Sequence, residues 1–305
     1  MPVDARVLEL LREITPAGAP RAWELPPPIV RAARDAAPGY AGPPAEGVVC
    51  EDRLLTNIPV RIYRSVEGVR PCLLFYHGGG WTLGSIKNYH TVCSRIAKES
   101  GWTVVSVEYR LAPEHKYPTP LLDCWMALLQ AAQQSAALRI DADCMAVAGD
   151  SAGGNLSAAV ALMTREYGSP KLAAQVLIYP SVEVTPADIA CARPSYQHDY
   201  LLNHAGCVQF WRNYLHHADE GSHPWVAPLM ANDHAGLPAA LIISAEFDPL
   251  LDEGDSYAAK LRAAGVPVQL TRYAGMVHAF INMGGHVPQA NEALVEIGLF
   301  LKGIR

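Results

Sequence analysis

One serine in a glycine-rich turn is the strongest candidate for a reactive residue in the sequence. Residues 149–154 read Gly-Asp-Ser-Ala-Gly-Gly, with Ser151 at the centre, and the apolar run at residues 144–148 comes just before them. Small residues continue through positions 155–162. A strand that turns sharply into a helix forces its corner residue into a strained conformation and needs small neighbours. The pattern therefore predicts a nucleophilic hydroxyl raised above a sheet at a helix N-terminus.

Ser151 needs a base, and a histidine held by a carboxylate is the usual one. When the serine lies in a G-x-S-x-G turn, the three residues follow one another in the order serine, acid, histidine. Of the eleven histidines, only His278 and His286 lie beyond the last predicted strand. We expect His278 to be the base, because it closely follows the strand that ends near Arg272 and so belongs to a loop at the carboxyl edge of the sheet.

Two carboxylates compete for the role of the acid. Glu246 and Asp248 both follow the predicted strand at residues 240–244. Pro249 comes directly after Asp248, and a residue that precedes proline is disfavoured in the helical conformation. Asp248 is therefore expected in an ordered turn, and we favour it over Glu246 as the partner of the histidine.

A run of glycines follows another predicted strand. Residues 77–81 read His-Gly-Gly-Gly-Trp, directly after the strand at residues 72–76. We expect the backbone N–H groups of Gly78 and Gly79 to converge with that of Ala152 on the oxygen that becomes negative during acyl transfer. A plain flexible turn is the alternative. A phosphate-binding loop would need Lys and Ser or Thr at the end of the glycine run, where the sequence has Trp81.

Short apolar or β-branched runs alternate with helical stretches along most of the chain, which predicts a largely parallel sheet covered by helices on both faces. The strand-like runs are residues 48–54, 58–63, 72–76, 103–107, 144–148, 174–178, 240–244 and 267–272. The helical stretches lie near residues 89–99, 120–135, 154–167, 205–216, 252–264 and 289–301. Thr56 and Asn57 separate the first two strands and predict a hairpin.

The alternation predicts a division of the chain into a core and a cap. Residues 1–45 contain an amphipathic helix and a proline-rich passage, and we expect them to form an arm that covers the body of the protein. Residues 181–237 are too long for a plain connection, so we interpret them as an inserted cap segment that pairs with the arm. The catalytic core would then comprise residues 46–180 and 238–305.

Composition excludes several classes of protein. The net charge of −6 without a basic cluster argues against nucleic acid as a partner. No uncharged apolar stretch approaches the ~18 residues of a membrane span, so stable membrane insertion is not expected. Charged residues within the first fourteen positions argue against a secretory signal. Seven cysteines, an odd number without C-x-x-C spacing, favour a reducing cytoplasm.

Together these motifs resemble those of the bacterial family IV esterases, which are related to mammalian hormone-sensitive lipase. The matching stretches are residues 77–81, Tyr-Arg-Leu-Ala-Pro-Glu at 109–114, residues 149–156, Asp-Pro-Leu at 248–250 with Asp252 and Glu253, and residues 275–280. The resemblance implies an α/β-hydrolase fold with a mostly parallel eight-stranded sheet, a helical cap, no cofactor, and hydrolysis of short to medium acyl esters. It also suggests a homodimer through the edge of the last strand.

The resemblance assigns the catalytic triad to Ser151, Asp248 and His278, and the oxyanion donors to Gly78, Gly79 and Ala152. One stretch departs from the family pattern. Many relatives have an aspartate and a His-Asp pair where this chain has Ser85, Tyr89 and His90. The support of the oxyanion loop is therefore left open by the sequence.

The substrate pocket is the least determined feature. We expect aromatic residues to line it, in particular Trp81, Phe210 and Trp211, with Trp23 and Tyr196 as further candidates in the cap. Most such pockets are apolar with few polar groups, so a small-molecule ester is the expected substrate class. Two other functions stay open. The same residues would serve an amidase or deacetylase, and the plant gibberellin receptors resemble this fold without catalysis, although they lack the catalytic histidine.

A cluster of histidines in the predicted cap raises the alternative of a metal site. His216, His217 and His223 lie close together in the sequence, with Asp219 and Glu220 as the only nearby carboxylates. A solvated surface is the interpretation we favour over metal binding. No metal is expected.

Overall fold

A computed structural model describes residues 2–37, 39–184 and 200–304, and the described strands form one eight-stranded sheet. The strands are β1 (Val49–Leu55), β2 (Ile58–Arg64), β3 (Arg70–Tyr76), β4 (Thr103–Val107), β5 (Ile140–Asp150), β6 (Leu172–Ile178), β7 (Ala239–Phe247) and β8 (Val268–Val277). The α-helices are α1 (Ala5–Ile14), α2 (Pro27–Ala36), α3 (His90–Ser100), α4 (Thr119–Gln133), α5 (Ser135–Leu138), α6 (Ala152–Tyr167), α7 (His204–Tyr214), α8 (Leu251–Ala263) and α9 (Pro288–Gly303).

The order of the strands in the sheet is β1-β2-β4-β3-β5-β6-β7-β8. The hairpin of β1 and β2 is present as predicted, and β2 also pairs antiparallel with β4. All remaining neighbours, from β4 through β3 to β8, are parallel. The predicted α/β-hydrolase fold with a mostly parallel sheet is therefore confirmed.

Helices cover both faces of this sheet because its central strands are apolar on both sides. All five residues of β4 are buried, as are the last five of β3. On one face, α1, α3 and α9 contribute to a single apolar cluster. On the other face, α4, α6 and α8 pack against the strands. The carboxyl ends of the parallel strands consequently meet at one edge, where loops can bring distant residues together.

Two passages lie outside the sheet. Residues 181–184 lead out from the end of β6, and the described part of the return, residues 200–237, contains α7 and short 3₁₀ turns at Ala218–Ser222 and Pro228–Met230. The N-terminal arm contains α1 and α2. Its first helix is fixed to the core by a hydrogen bond of 3.0 Å from Asp4 N–H to the carbonyl of Gly275, and by the buried Val7 and Leu10.

Candidate active site

The turn between β5 and α6 has the strained geometry that the sequence predicted. Ser151 has φ 55° and ψ −118°, a region that side-chain-bearing residues rarely adopt. Its N–H donates to the carbonyl of Ile178 over 2.8 Å, which ties the turn to β6. A Cβ at Gly153 would lie 1.9 Å from the carbonyl oxygen of Tyr76, so only glycine allows the helix to approach β3 this closely. The turn is thus held rigidly by the sheet.

A chain of two hydrogen bonds joins Ser151 to residues that follow β7 and β8. Nε2 of His278 lies 2.9 Å from Oγ of Ser151, and Nδ1 lies 2.7 Å from Oδ2 of Asp248. Since an ionised carboxylate only accepts, Nδ1 carries the proton and Nε2 is free to accept the serine proton. Asp248 is fully buried, and its other oxygen accepts the N–H of Leu250 over 2.8 Å. The carboxylate is therefore fixed before any substrate arrives.

Glu246, the alternative acid, and His286, the alternative base, both lie away from Ser151. Glu246 accepts the N–H of Gly275 over 2.7 Å, and this bond holds the pKa of the Glu246 carboxyl below its usual value. His286 is exposed and packs against Tyr40, with ring centroids 6.0 Å apart. The structure therefore brings together Ser151, Asp248 and His278, and leaves Glu246 and His286 out of this chain of hydrogen bonds.

The glycine loop, residues 77–83, requires one correction. The N–H of Gly78 donates to Oδ1 of Asp150 over 2.7 Å, so it is not available to a substrate, and the prediction of Gly78 as an oxyanion donor is wrong. Gly78 is instead a structural anchor. A Cβ at this position would lie 2.6 Å from the Asp150 carboxylate, which explains the need for glycine.

The next two glycines have oriented and unused N–H groups. The Gly78 carbonyl accepts from Nδ1 of His77 over 2.9 Å, and the Gly79 carbonyl accepts the N–H groups of Thr82 and Leu83 over 3.1 and 2.8 Å. Because a trans peptide directs its N–H opposite to its C=O, these bonds point the N–H groups of Gly79 and Gly80 the other way. Within the described residues, neither group has an acceptor, nor does the N–H of Ala152.

His77 donates to the Gly78 carbonyl through Nδ1 while its ring is neutral. Burial lowers the pKa of His77 from its ordinary value of 6.5 to about 4. Its ring stacks on that of Tyr109 with centroids 4.3 Å apart, and the Tyr109 hydroxyl donates to the His77 carbonyl over 2.6 Å. The imidazole is therefore a fixed donor that orients the first peptide of the glycine loop.

Sequence reasoning did not identify Asp150 as part of the site. Its side chain is fully buried, and besides Gly78 it accepts the hydroxyl groups of Tyr89 over 2.9 Å and Tyr179 over 3.4 Å. Burial raises the pKa of Asp150 to about 6, against the lowering effect of the Tyr89 hydroxyl. The Tyr179 ring in turn lies 4.8 Å from that of His278. The signal available in the sequence was a carboxylate directly beside the serine in a turn that must be buried.

Three residues depart from the family pattern, and each makes different contacts. They are Ser85, Tyr89 and His90. Tyr89 supports the glycine loop through Asp150, as described above. The hydroxyl of Ser85 lies 3.5 Å from Oδ1 of Asp35 in the arm. His90 lies 3.2 Å from the Tyr63 hydroxyl through Nδ1, and burial lowers its pKa. Of these three positions, only Tyr89 reaches the residue next to the serine.

The predicted pocket aromatics differ in their exposure. Trp81 is 2% exposed and stacks on Tyr214, with centroids 4.4 Å apart, while Trp211 is 5% exposed and lies 4.2 Å from Trp81. Phe210 is only partly buried and faces the glycine loop, because a Cβ at Gly80 would meet its ring at 2.2 Å. Tyr196 lies outside the described residues. Phe210 therefore has more surface to offer a ligand than either tryptophan.

His216, His217 and His223 are the histidines for which the sequence raised the alternative of a metal site. In the described parts of the chain, no group of three or more His, Cys, Asp or Glu side chains is placed to hold a metal ion. Nδ1 of His223 instead accepts the N–H of Trp225 over 3.1 Å.

None of the helices in the described parts of the chain is long and apolar enough to cross a bilayer.

A serine on a strained strand-to-helix turn, with a histidine and an acid from the ends of later strands, defines the serine hydrolases of the α/β-hydrolase class. Residues 73–282 match the family described as alpha/beta hydrolase fold. The carboxylesterase NlhH of Mycobacterium tuberculosis is 41% identical over 247 residues, which cover 78% of this chain and 76% of that protein. The ethyl acetate hydrolase of Pseudomonas putida is 38% identical over 254 residues, or 79% and 77% of the two chains.

A solved structure agrees with these sequence relatives. The hyperthermophilic esterase from the archaeon Pyrobaculum calidifontis superimposes with a TM-score of 0.88 at 34% identity, over 99% of this chain and 98% of that one. The chain belongs to the family IV, or hormone-sensitive lipase-like, esterases of the alpha/beta hydrolase fold. It is a carboxylesterase, as the sequence predicted.

Proposed function

We propose that Ser151, His278 and Asp248 form the catalytic triad of this carboxylesterase, and that the protein hydrolyses short to medium acyl esters through an acyl-enzyme. The observation that carries the proposal is the position of His278, whose two ring nitrogens lie 2.9 Å from Ser151 and 2.7 Å from Asp248. Both distances are within the range of a hydrogen bond, which is what proton transfer requires.

In the first half of the reaction, Nε2 of His278 takes the proton of Ser151 as Oγ bonds to the ester carbonyl carbon. The carbonyl oxygen becomes negative, and the N–H groups of Gly79, Gly80 and Ala152 stabilise it. This set replaces the predicted one, because the N–H of Gly78 is already bonded to Asp150. The tetrahedral species then loses the alcohol, which receives the proton from His278.

In the second half, water takes the place of the serine hydroxyl. His278 removes a proton from water while the water oxygen bonds to the acyl carbon. The bond from that carbon to Oγ of Ser151 then breaks. Ser151 recovers its proton and the carboxylic acid leaves. Throughout the cycle, the Asp248 carboxylate accepts a hydrogen bond from Nδ1–H of His278 and stays ionised, so it selects the useful tautomer and stabilises the imidazolium.

Substitution of the serine tests this assignment. Ser151→Ala should lower turnover of p-nitrophenyl acetate by several orders of magnitude and leave the fold intact. Ser157→Ala is the matched control, because Ser157 is another buried serine, located within α6, and its substitution removes only a hydrogen bond of 2.8 Å to the Gly153 carbonyl. If the Ser151 variant kept most of the wild-type activity, the assignment would be wrong.

The restriction to short and medium acyl chains is supported by Phe210, whose ring lies against Gly80 and takes up space beside the glycine loop. A relative that is named for ethyl acetate, a small ester, points the same way. A ladder of p-nitrophenyl esters of increasing chain length measures this preference, and matched anilides separate ester from amide hydrolysis. We expect Phe210→Ala to move the optimum to longer chains, and an unchanged optimum would remove Phe210 from the pocket.

We also propose that residues 1–45 and 181–237 together form the cap over a core of residues 46–180 and 238–305. Contacts between the two cap pieces support this division. A Cβ at Gly206 in α7 would lie 2.7 Å from Cε3 of Trp23, so the arm and the insertion pack tightly. Residues 185–199 of the insertion lie outside the described residues. Limited proteolysis with mass spectrometry should release fragments whose ends fall near the proposed boundaries.

We infer that the protein acts in the cytoplasm as a homodimer that pairs through the edge of β8. The position of β8 at one edge of the sheet supports a second copy as the partner, as do the exposed side chains of Val295 and Leu299 on the neighbouring helix. Light scattering of the wild type and of Leu299→Glu tests the dimer.

The six cysteines in the described residues are unpaired, which fits a reducing compartment. Cell fractionation tests the compartment.

A further inference from the structure

Arg31 in α2 connects the N-terminal arm to two loops of the core. Its Nε donates to the carbonyl of Thr82 over 2.8 Å, and its Nη2 donates to the carbonyl of Ala112 over 2.7 Å. The same guanidinium forms a two-pronged ion pair with Glu114, at 2.9 and 2.8 Å. Such a planar fork can satisfy several acceptors at once, whereas an ammonium group cannot match this geometry.

Thr82 is the residue that closes the glycine loop. Its N–H donates to the carbonyl of Gly79 over 3.1 Å, and its hydroxyl donates to the carbonyl of Gly80 over 2.9 Å. The first of these bonds helps to set the direction of the Gly80 N–H, because the two groups belong to one rigid peptide. Arg31 therefore holds a residue that helps to orient the Gly80 N–H, one of the proposed oxyanion donors.

Ala112 connects Arg31 to the glycine loop by a second pair of hydrogen bonds. Its N–H donates to the carbonyl of Trp81 over 2.8 Å, and its own carbonyl accepts from Arg31. Both Thr82 and Ala112 are buried, and loss of the guanidinium would leave their carbonyls without the donors that hold them in this geometry. Two unsatisfied buried carbonyls would favour a rearrangement of the loop over the present geometry.

We propose that Arg31 is a positioning residue for the reaction: it acts from the N-terminal arm through Thr82 and Ala112 to fix the glycine loop. The inference rests on the proposed function, in which Gly79 and Gly80 stabilise the oxyanion. The arm then contributes to turnover itself, in addition to covering the site. The ion pair with Glu114 is secondary, because the Glu114 side chain is 46% exposed and solvent weakens such pairs.

A second contact between the arm and the core supplies a matched control. Nζ of Lys87 donates to the carbonyl of Asp35, one turn beyond Arg31 in α2, over 2.6 Å. Lys87→Ala therefore weakens the attachment of the arm without touching Thr82 or Ala112. Glu114→Gln is the other control, because it removes the ion pair and leaves both carbonyl bonds of Arg31 in place.

The experiment measures kcat and KM with p-nitrophenyl acetate, together with Tm, for Arg31→Ala, Arg31→Gln and the two controls. For Arg31→Ala we expect kcat to fall by about tenfold to a hundredfold, the size of effect that a small misplacement of catalytic groups produces, with KM nearly unchanged. Arg31→Gln should lose less, since an amide can still donate to one carbonyl. Both controls should keep kcat within about twofold of the wild type.

Chemical rescue separates positioning from general damage. Low millimolar guanidinium, well below denaturing levels, should restore part of the lost kcat of Arg31→Ala, and equal sodium chloride should not. The proposal is overturned if Arg31→Ala keeps the wild-type kcat, if the controls lose as much as it does, or if guanidinium restores nothing. Labelling of Ser151 by an organophosphonate in the wild type checks the proposed function independently. A failure of the triad assignment can therefore be distinguished from a failure of the role proposed for Arg31.

Discussion

Gly78 donates its backbone N–H to Oδ1 of Asp150 over 2.7 Å, and so joins the glycine loop to the residue directly before Ser151. Both partners are buried, and the second carboxylate oxygen of Asp150 accepts the Tyr89 hydroxyl. The loop that carries the proposed oxyanion donors and the turn that carries the serine are thereby fixed to one another. This link leads to two of the following predictions.

Tyr89→Phe should shift the acidic limb of the kcat profile to higher pH. The Tyr89 hydroxyl lowers the pKa of Asp150, which burial has raised to about 6, so its loss should raise that pKa further. Less of the carboxyl is then ionised near pH 6, and a protonated carboxyl holds Gly78 less strongly. The measurement is kcat from pH 5 to 8.

Tyr63→Phe is the control for this experiment. Tyr63 is also a fully buried tyrosine, but its hydroxyl lies 3.2 Å from His90 and makes no bond to Asp150. Its acidic limb should coincide with that of the wild type. Equal shifts in both variants, or none in Tyr89→Phe, would contradict the role of Tyr89.

Asp150→Asn should change the dependence of stability on pH. The pKa of Asp150 is raised from 3.8 to about 6 in the fold, so the native state binds the extra proton and this residue makes stability fall as pH rises through that window. The pKa of His77 is lowered from 6.5 to about 4, so the unfolded state binds the extra proton and stability rises with pH from about 4 to 6.5. The two effects oppose one another in the wild type.

Asp150→Asn removes the contribution of Asp150 that opposes His77 and leaves that of His77 in place. The free energy of unfolding of Asp150→Asn should therefore rise more steeply with pH between about 4 and 6 than that of the wild type, by up to about 1.4 kcal/mol per pH unit. Urea titrations at pH 4.5, 5.0, 5.5 and 6.0 measure the slope. Parallel profiles for the two proteins would mean that Asp150 does not titrate in this range.

Asp248→Asn should lower kcat by about 10⁴-fold, because an amide NH₂ that faces Nδ1 favours the wrong tautomer of His278. The bond at issue is the one of 2.7 Å between His278 and Asp248. Glu246→Gln is the matched control, since Glu246 lies two positions earlier and bonds to Gly275 instead. Its kcat should stay close to that of the wild type, and a loss as large as that of Asp248→Asn would reopen the choice of acid.

Gly153→Ala should destabilise the fold, since a Cβ there would lie 1.9 Å from the Tyr76 carbonyl. The strand and helix would have to move apart, and crowding of a packed core costs about 1–3 kcal/mol or more. Gly303→Ala provides the comparison, because a Cβ at Gly303 meets nothing within 4 Å. Thermal unfolding of both variants checks this, and a similar Tm for the two would contradict the tight packing at Gly153.

The strands and most helices were predictable because local pattern determines them. Residues 103–107, for example, combine three valines with Thr103 and Ser106 and are buried at every position, and a short valine-rich run of this kind is typical of a strand covered on both faces. The order of Ser151, Asp248 and His278 along the chain was informative for a related reason, since the ends of parallel strands meet at one edge of a sheet. The proximity of Phe210 to Gly80 had no such signal, because it depends on how the insertion folds over the core.

Motifs, periodicity and chain order are local or linear properties, so the amino-acid sequence was enough to derive the family, the α/β fold and the three residues that the fold brings into one chain of hydrogen bonds. Which glycine N–H groups are free became apparent only in three dimensions, since that depends on acceptors far along the chain: Asp150 accepts the hydrogen bond from the N–H of Gly78, 72 positions away. The same holds for Arg31, whose contacts at Thr82 and Ala112 lie 51 and 81 positions away.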